Sequence, residues 1–157
     1  MDYDMTMKVL AALEREQVRY VVFGAVALNL LGLPRATEDL DIFIEPRREN
    51  VERLKAALRS VFEDPCIEEI TADDLLGEYP AIQYAPPQAG FHMDILTRLG
   101  ERYAFADLAT RRIDVDGLSV PVVTLDQLYR MKKDTVRPKD RGDAARIAEL
   151  LHLDEES

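Results

Sequence analysis

The sequence predicts an α+β domain: a mixed β-sheet flanked by helices, with a small helical appendage at its C-terminal end. Two patterns carry that prediction. Apolar residues recur at helical spacing over 5–17 and 49–62, begin to alternate at strand spacing over 39–44, and gather in strand-like runs over 18–23 and 91–96. Strands and helices take turns through the first half of the chain, and a hairpin turning at Asp116-Gly117 then breaks the order, which points to a mixed sheet. The chain of 157 residues has no repeat and no long linker, so 1–157 reads as one domain, with a sheet core over about 1–123 and helices over about 124–153. A domain of that size buries roughly 70% of the surface its unfolded chain exposes.

Each element has its own signal. Met5, Val9, Leu10 and Leu13 share one side of the first helix, opposite Lys8, Glu14, Arg15 and Glu16. Val18 to Phe23 is β-branched and aromatic and stops at Gly24, so 18–32 reads as strand, tight glycine turn and helix. In the strand over 39–44, Leu40, Ile42 and Ile44 form an apolar face. The helix over 49–62 turns Val51, Leu54, Ala57, Leu58 and Val61 inward. A short helix over 72–76 and strands over 81–84 and 91–96 follow, then a hairpin over 113–123. Thr124 is a natural N-cap for a helix over 126–133, and Pro138 or Asp140 opens a last helix to about residue 151.

Composition narrows the function classes. The chain is 47% hydrophobic and 32% charged, which excludes wholesale disorder, and its net charge is −10. Such an acidic balance argues against general attraction to DNA or anionic membrane. Cys66 is the sole cysteine, so neither an intrachain disulfide nor a cysteine metal cage is expected. The acidic N-terminus lacks a secretory pattern and the apolar stretch 20–33 is too short to span a bilayer; a cytoplasmic protein is the expectation.

The chemistry centres on Asp39 and Asp41. Two residues apart on a strand, they project from one face about 6.6 Å apart along it. Carboxylates so held repel one another unless a cation lies between them, and Mg²⁺ favours paired carboxylates together with substrate phosphates. Acidic pairs at this spacing are common in so acidic a chain; Asp114 and Asp116 form another, better read as a polar hairpin edge. Context separates the first pair. Gly24 stands where a strand meets a helix, a turn whose backbone N–H groups face an anion. Asp94 lies on a strand whose Phe91, Met93 and Ile95 face the core, which puts it on the polar face as a third carboxylate. A phosphate-cradling turn and three strand carboxylates suit metal-assisted phosphoryl transfer.

At these residues the chain resembles the DNA polymerase β-like nucleotidyltransferase superfamily. The resemblance rests on Gly24-Ala25, a spacer of thirteen residues, and Asp39-Leu40-Asp41-Ile42. Gly32, Arg35 and Thr37, with Leu128 to Lys132 and Lys139 to Asp143, are similar to the bacterial branch containing AbiEii-type and MenT-type toxins. The resemblance implies the nucleotidyltransferase fold and transfer of a nucleoside monophosphate from a nucleoside triphosphate, such as ATP, to an RNA (tRNA) or protein acceptor. It implies that Asp39, Asp41 and Asp94 hold one or two Mg²⁺ ions and that Asp94 helps deprotonate the acceptor. Gly24 and Ala25 would contact the β and γ phosphates, Lys132 would offset phosphate charge, and Asp140 would support the site. Arg35 and Thr37 complete the implied nucleotide-binding set, and an antitoxin is an implied partner.

Plainer readings stand beside these. Asp39 and Asp41 suit an edge strand charged against pairing. Arg35 suits a helix cap, Lys132 a solvated face, Asp140 an N-cap and Asp143 the helix dipole; His92 shares the face of Asp94, where it would orient substrate or serve as a structural histidine. From Gln127 to Arg146 seven Lys or Arg face three Asp, a local charge of +4. Ordinary helix-surface charge is one reading of it; in the other, that segment with Arg35, Arg47 and Arg48 lines a triphosphate site and an RNA acceptor, without forming a broad nucleic-acid surface. One departure from the family pattern is Ala25, where Gly or Ser is usual: it removes a hydroxyl and adds a Cβ where backbone comes close. It favours an alternative, a catalytically weakened nucleotide- or metal-binding interaction module of the same fold.

Overall fold

The centre of the molecule is a six-stranded sheet, seen in a computed structural model that describes residues 3–32, 39–77, 80–87, 92–99 and 103–133. Helix α1 (Tyr3–Arg15) buries Val9, Leu10 and Leu13 and places Asp4 and Arg15 at the ends where they complement the helix dipole. Its C-terminus closes in a Schellman arrangement. Gln17 takes the left-handed conformation (φ 57°), its N–H bonds Glu14 O at 3.1 Å, and Val18 N–H bonds Leu13 O at 3.0 Å. That reversal delivers the chain into β1 (Tyr20–Phe23).

Strand β1 runs directly into α2 (Gly24–Leu30), whose Ala25, Val26, Ala27 and Leu28 are all buried. Burial on every side explains why this short helix lacks an amphipathic pattern. Strand β2 (Asp39–Ile44) returns antiparallel to β1, with Phe23 opposite Asp41 and Tyr20 opposite Ile44. Helix α3 (Arg48–Val61) packs on α1, and its Val51, Leu54 and Leu58 join the same core. The corner between β1, β2 and α3 is locked by buried Asn50. Its amide donates to the carbonyls of Arg19 (2.9 Å) and Glu45 (3.0 Å) and its oxygen accepts from Arg19 N–H (2.8 Å).

A 3₁₀ turn η1 (Pro65–Glu69) and α4 (Ala72–Leu76) lead to β3 (Ala81–Tyr84) and β4 (His92–Leu96). Strand β4 runs parallel to β2 and antiparallel to β3. Two short strands, β5 (Arg98–Leu99) and β6 (Tyr103–Ala104), form a separate ribbon that sequence periodicity does not predict. After a 3₁₀ turn η2 (Phe105–Asp107), the hairpin of β7 (Thr110–Val115) and β8 (Leu118–Val123) completes the sheet, with β8 parallel to β1. Asp116 (φ 51°) and Gly117 (φ 84°) both occupy the left-handed region, the requirement of the type I′ turn that Asp-Gly predicts. Helix α5 (Leu125–Lys133) is capped by Thr124, whose hydroxyl accepts from Gln127 N–H at 3.3 Å.

Strand order is β3-β4-β2-β1-β8-β7, a mixed open sheet with helices against it, as expected from sequence. Element bounds fall within a few residues of expectation, except that β7 starts three residues earlier, at Thr110. The last helix expected over about 138–151 lies outside the described residues. One face of the central strands is uniformly apolar: Val22, Leu40, Ile42, Ile44, Met93 and Ile95 are essentially inaccessible. The other face of β2 carries Asp39 and Asp41 and then turns apolar at Phe43, which packs on Phe23 with ring centroids 4.7 Å apart.

Candidate active site

The site grows from the junction of β1 and α2. Gly24 has φ 72°, a conformation that costs an L-residue with a side chain roughly 1–2 kcal/mol. Space imposes a second demand: a Cβ built on Gly24 would run into the Asp41 carboxylate, with Asp41 Cγ only 3.0 Å away. The glycine therefore allows backbone and carboxylate to sit against each other. Antiparallel pairing of Phe23 with Asp41 creates that approach.

Parallel pairing of β2 with β4 brings in the third acid. Asp41 and Asp94 are directly paired in register, and Asp39 is paired with His92. Neighbouring strands lie about 4.8 Å apart, so Asp39, Asp41, His92 and Asp94 share one patch on one sheet face. All four are partly exposed, as groups that meet a ligand must be. His92 Nδ1 lies 3.4 Å from Asp39 Oδ1. Among the described residues no group of three or more His, Cys, Asp or Glu side chains is gathered to hold a metal ion by itself. The donor set still fits Mg²⁺, which is generally held by one or two carboxylates, with substrate phosphates and water completing its octahedron. Paired hard oxygen donors on one sheet face are that kind of set.

The other sequence candidates fall as follows. Ala25 is buried in the first turn of α2. Arg35, Thr37 and Asp140 lie outside the described residues; Lys132 belongs to α5, but its side chain is not among those described. Arg47 and Arg48, expected beside the triphosphate site, are elsewhere. They follow the far end of β2, where Arg47 pairs with Glu45 at 2.7 Å and Arg48 with Asp73 at 2.6 Å. Their charges are spent on anchoring the start of α3. His92 shares the face of Asp94, as alternation predicts, but its pairing with Asp39 is not legible in sequence. A lone histidine gives no signal of its own, and its partner Asp39, 53 positions earlier, becomes visible only through the β2–β4 register.

A cavity of about 400 Å³ opens beside β3, lined by Cys66, Glu69, Asp74 and Tyr84 among others, and none of the three site carboxylates reaches it. Asp64 holds the rim together, accepting from Cys66 N–H at 3.0 Å and from the Tyr84 hydroxyl at 2.9 Å. Those bonds lower the Asp64 carboxyl below its ordinary range, the Cys66 backbone contributing most. The Asp64 charge in turn pushes the Cys66 thiol up, so it stays protonated and is a poor nucleophile.

Comparison with known proteins gives the family and the fold. A family model described as nucleotidyl transferase AbiEii toxin, type IV TA system, matches residues 8–147. No curated protein matches the chain. Among solved structures, the lincosamide antibiotic adenylyltransferase LnuA, lincomycin-bound, is similar with a TM-score of 0.60 at 13% identity, covering 94% of this chain and 97% of that one. ANT(2")-Ia in complex with adenylyl-2"-tobramycin gives 0.57 at 16% identity, covering 97% and 91%. An antigenic nucleotidyltransferase-like protein from Paracoccidioides brasiliensis gives 0.58 at 16% identity, covering 95% and 75%. At these identities the likeness is one of fold.

Proposed function

This chain belongs to the AbiEii nucleotidyl transferase toxin family, and from that premise we propose that it transfers a nucleoside monophosphate from a nucleoside triphosphate to an RNA or protein acceptor, with Mg²⁺ held by Asp39, Asp41 and Asp94. The observation that supports this reading best is the register of Asp41 with Asp94, together with Gly24 pressed against Asp41. When bound, Mg²⁺ supplies charge neutralisation at the α-phosphate and at the departing pyrophosphate.

The chain's own residues have distinct tasks. Asp94 accepts the proton of the acceptor hydroxyl as its oxygen attacks the α-phosphorus. One P–O bond forms, the bridge to the β-phosphate breaks, and pyrophosphate leaves with the displaced electron pair. Gly24 and the Ala25 backbone contact the β and γ phosphates. Arg35, Thr37 and Lys132 add cationic and hydroxyl contacts to the triphosphate, and Asp140 supports the site, on the strength of the family resemblance alone. The family's toxin context ranks an RNA or protein acceptor above the antibiotics of the structurally similar transferases, and implies a cytoplasmic setting with an antitoxin. Among the described residues no helix is long and apolar enough to cross a membrane.

Ala25 favours a second reading, a module of the same fold that binds nucleotide or metal but transfers nothing. One experiment separates the two. The protein is incubated with each labelled triphosphate, Mg²⁺ and cell extract, beside a variant carrying Asp39→Ala and Asp41→Ala. Label joined to an RNA or protein by the wild type and absent with the variant is the expected result; nucleotide binding without transfer selects the second reading.

A further inference from the structure

We propose that His92 is a positioning residue for Asp39: its imidazole holds one carboxylate oxygen and leaves the other turned toward the Asp41–Asp94 pair. The inference rests on the metal-site reading above and goes beyond it, since the family resemblance gives His92 no role. His92 and Asp39 are register partners across the β2–β4 parallel pair, and Nδ1 approaches Oδ1 to 3.4 Å. Both side chains are partly exposed, 38% and 44%, so the contact lies at the mouth of the site.

The place of Asp39 in the sheet makes its orientation matter. It is the first residue of β2, with ladder partners on only one side, because β1 pairs with β2 no further than Asp41. Its carboxylate must also come toward that of Asp41, against like-charge repulsion, if the two are to share an ion. His92 opens β4 and, like Asp39, has its ladder partner only across the β2–β4 pair, because β3 pairs with β4 from Met93 onward. The same strand carries Asp94 two residues on. One strand thus supplies an acid of the site and the group that orients another. Partners of this kind around metal-ligating groups generally carry about 10–100-fold in metal affinity.

The test is direct binding of Mn²⁺ to nucleotide-free protein, read from the electron paramagnetic resonance of free Mn²⁺, for wild type, His92→Ala, His92→Asn and Asp41→Asn. The Asn amide places an N–H near the position of the imidazole Nδ1–H, so it restores an oriented donor without the ring. His92→Ala is expected to weaken Mn²⁺ binding about tenfold or more, and His92→Asn to stay within about threefold of wild type. A role in packing alone would instead make both His92 variants behave alike. Wild-type affinity in His92→Ala, with binding lost in Asp41→Asn, overturns the role of His92 and leaves the metal-site reading standing. Equal binding by wild type and Asp41→Asn overturns both. Far-ultraviolet circular dichroism of each variant shows that it is folded; if His92→Ala is not, affinity in His92→Asn weakened tenfold or more overturns the role.

Discussion

Gly24 answers to two physical constraints at once, and they separate under substitution. Its φ of 72° penalises any side chain, and its closeness to Asp41 penalises this one position further, because the obstacle is a carboxylate of the proposed metal site. Gly24→Ala is therefore expected to lower stability by at least about 1 kcal/mol and to abolish label transfer through displacement of Asp41. Urea unfolding and the transfer assay check the two effects. Full activity in a destabilised Gly24→Ala protein would show that Asp41 does not depend on the glycine. That Gly24 opens a tight turn was legible in the sequence, since a buried-strand composition stops there. Its contact with Asp41 was not, because that depends on which residue of β2 faces Phe23, and pairing register leaves no local trace. The pairing of His92 with Asp39 was hidden for the same reason, whereas the shared facing of His92 and Asp94 followed from simple alternation with Met93 and Ile95.

Elements with a strong periodic pattern were readable, and those held by a few polar bonds were not. Strand β2 lies where alternation places it; α4 and β3 fall on the expected 72–76 and 81–84 although their stretch has a weaker pattern, and Thr71 accepts from Asp74 N–H at the start of α4. Strand β7 begins early because Thr110, Arg111 and Arg112 form an exposed edge, with no buried face to impose alternation. The turn η1 was missed because its segment Pro65-Cys66-Ile67-Glu68-Glu69 buries only Ile67; its cap Asp64, rather than packing, defines it. That cap predicts a pH response. Its hydrogen bonds hold the Asp64 carboxyl lower in the folded chain than in the unfolded one. Its contribution to stability is therefore complete above the unfolded value, roughly 4, and disappears as pH falls through the folded value. Glu68, held down chiefly by Arg59, acts in the same direction. The melting temperature of the wild type should fall between pH 5 and pH 3, and the fall should be shallower in Asp64→Asn, which has no proton to gain. Equal slopes in the two proteins would remove Asp64 from the acid response.

At the scale of the whole molecule, the decisive feature is that the candidate site is built from the middle of the sheet. Mixed pairing was legible, because alternating elements followed by an Asp-Gly hairpin admit little else, but the order β3-β4-β2-β1-β8-β7 was not. Parallel neighbours such as β2 and β4 are joined by long crossovers, and local sequence does not state which strand the chain returns to. The order matters for function because it makes the carboxylate patch a property of the folded state alone. An ion gripped there binds the folded chain and not the unfolded one, so divalent metal should raise stability by mass action. At a concentration about one hundred times its dissociation constant, Mg²⁺ or Mn²⁺ should add about 2.7 kcal/mol, a rise of about 5–10 °C in melting temperature for a chain of this size. A net charge of −10 means that any salt will also relieve repulsion, so the comparison is with NaCl at matched ionic strength. The protein carrying Asp39→Ala and Asp41→Ala should retain the part of the shift that NaCl reproduces and lose the remainder. A divalent-specific rise of equal size in wild type and double variant would place the bound ion somewhere other than this sheet face.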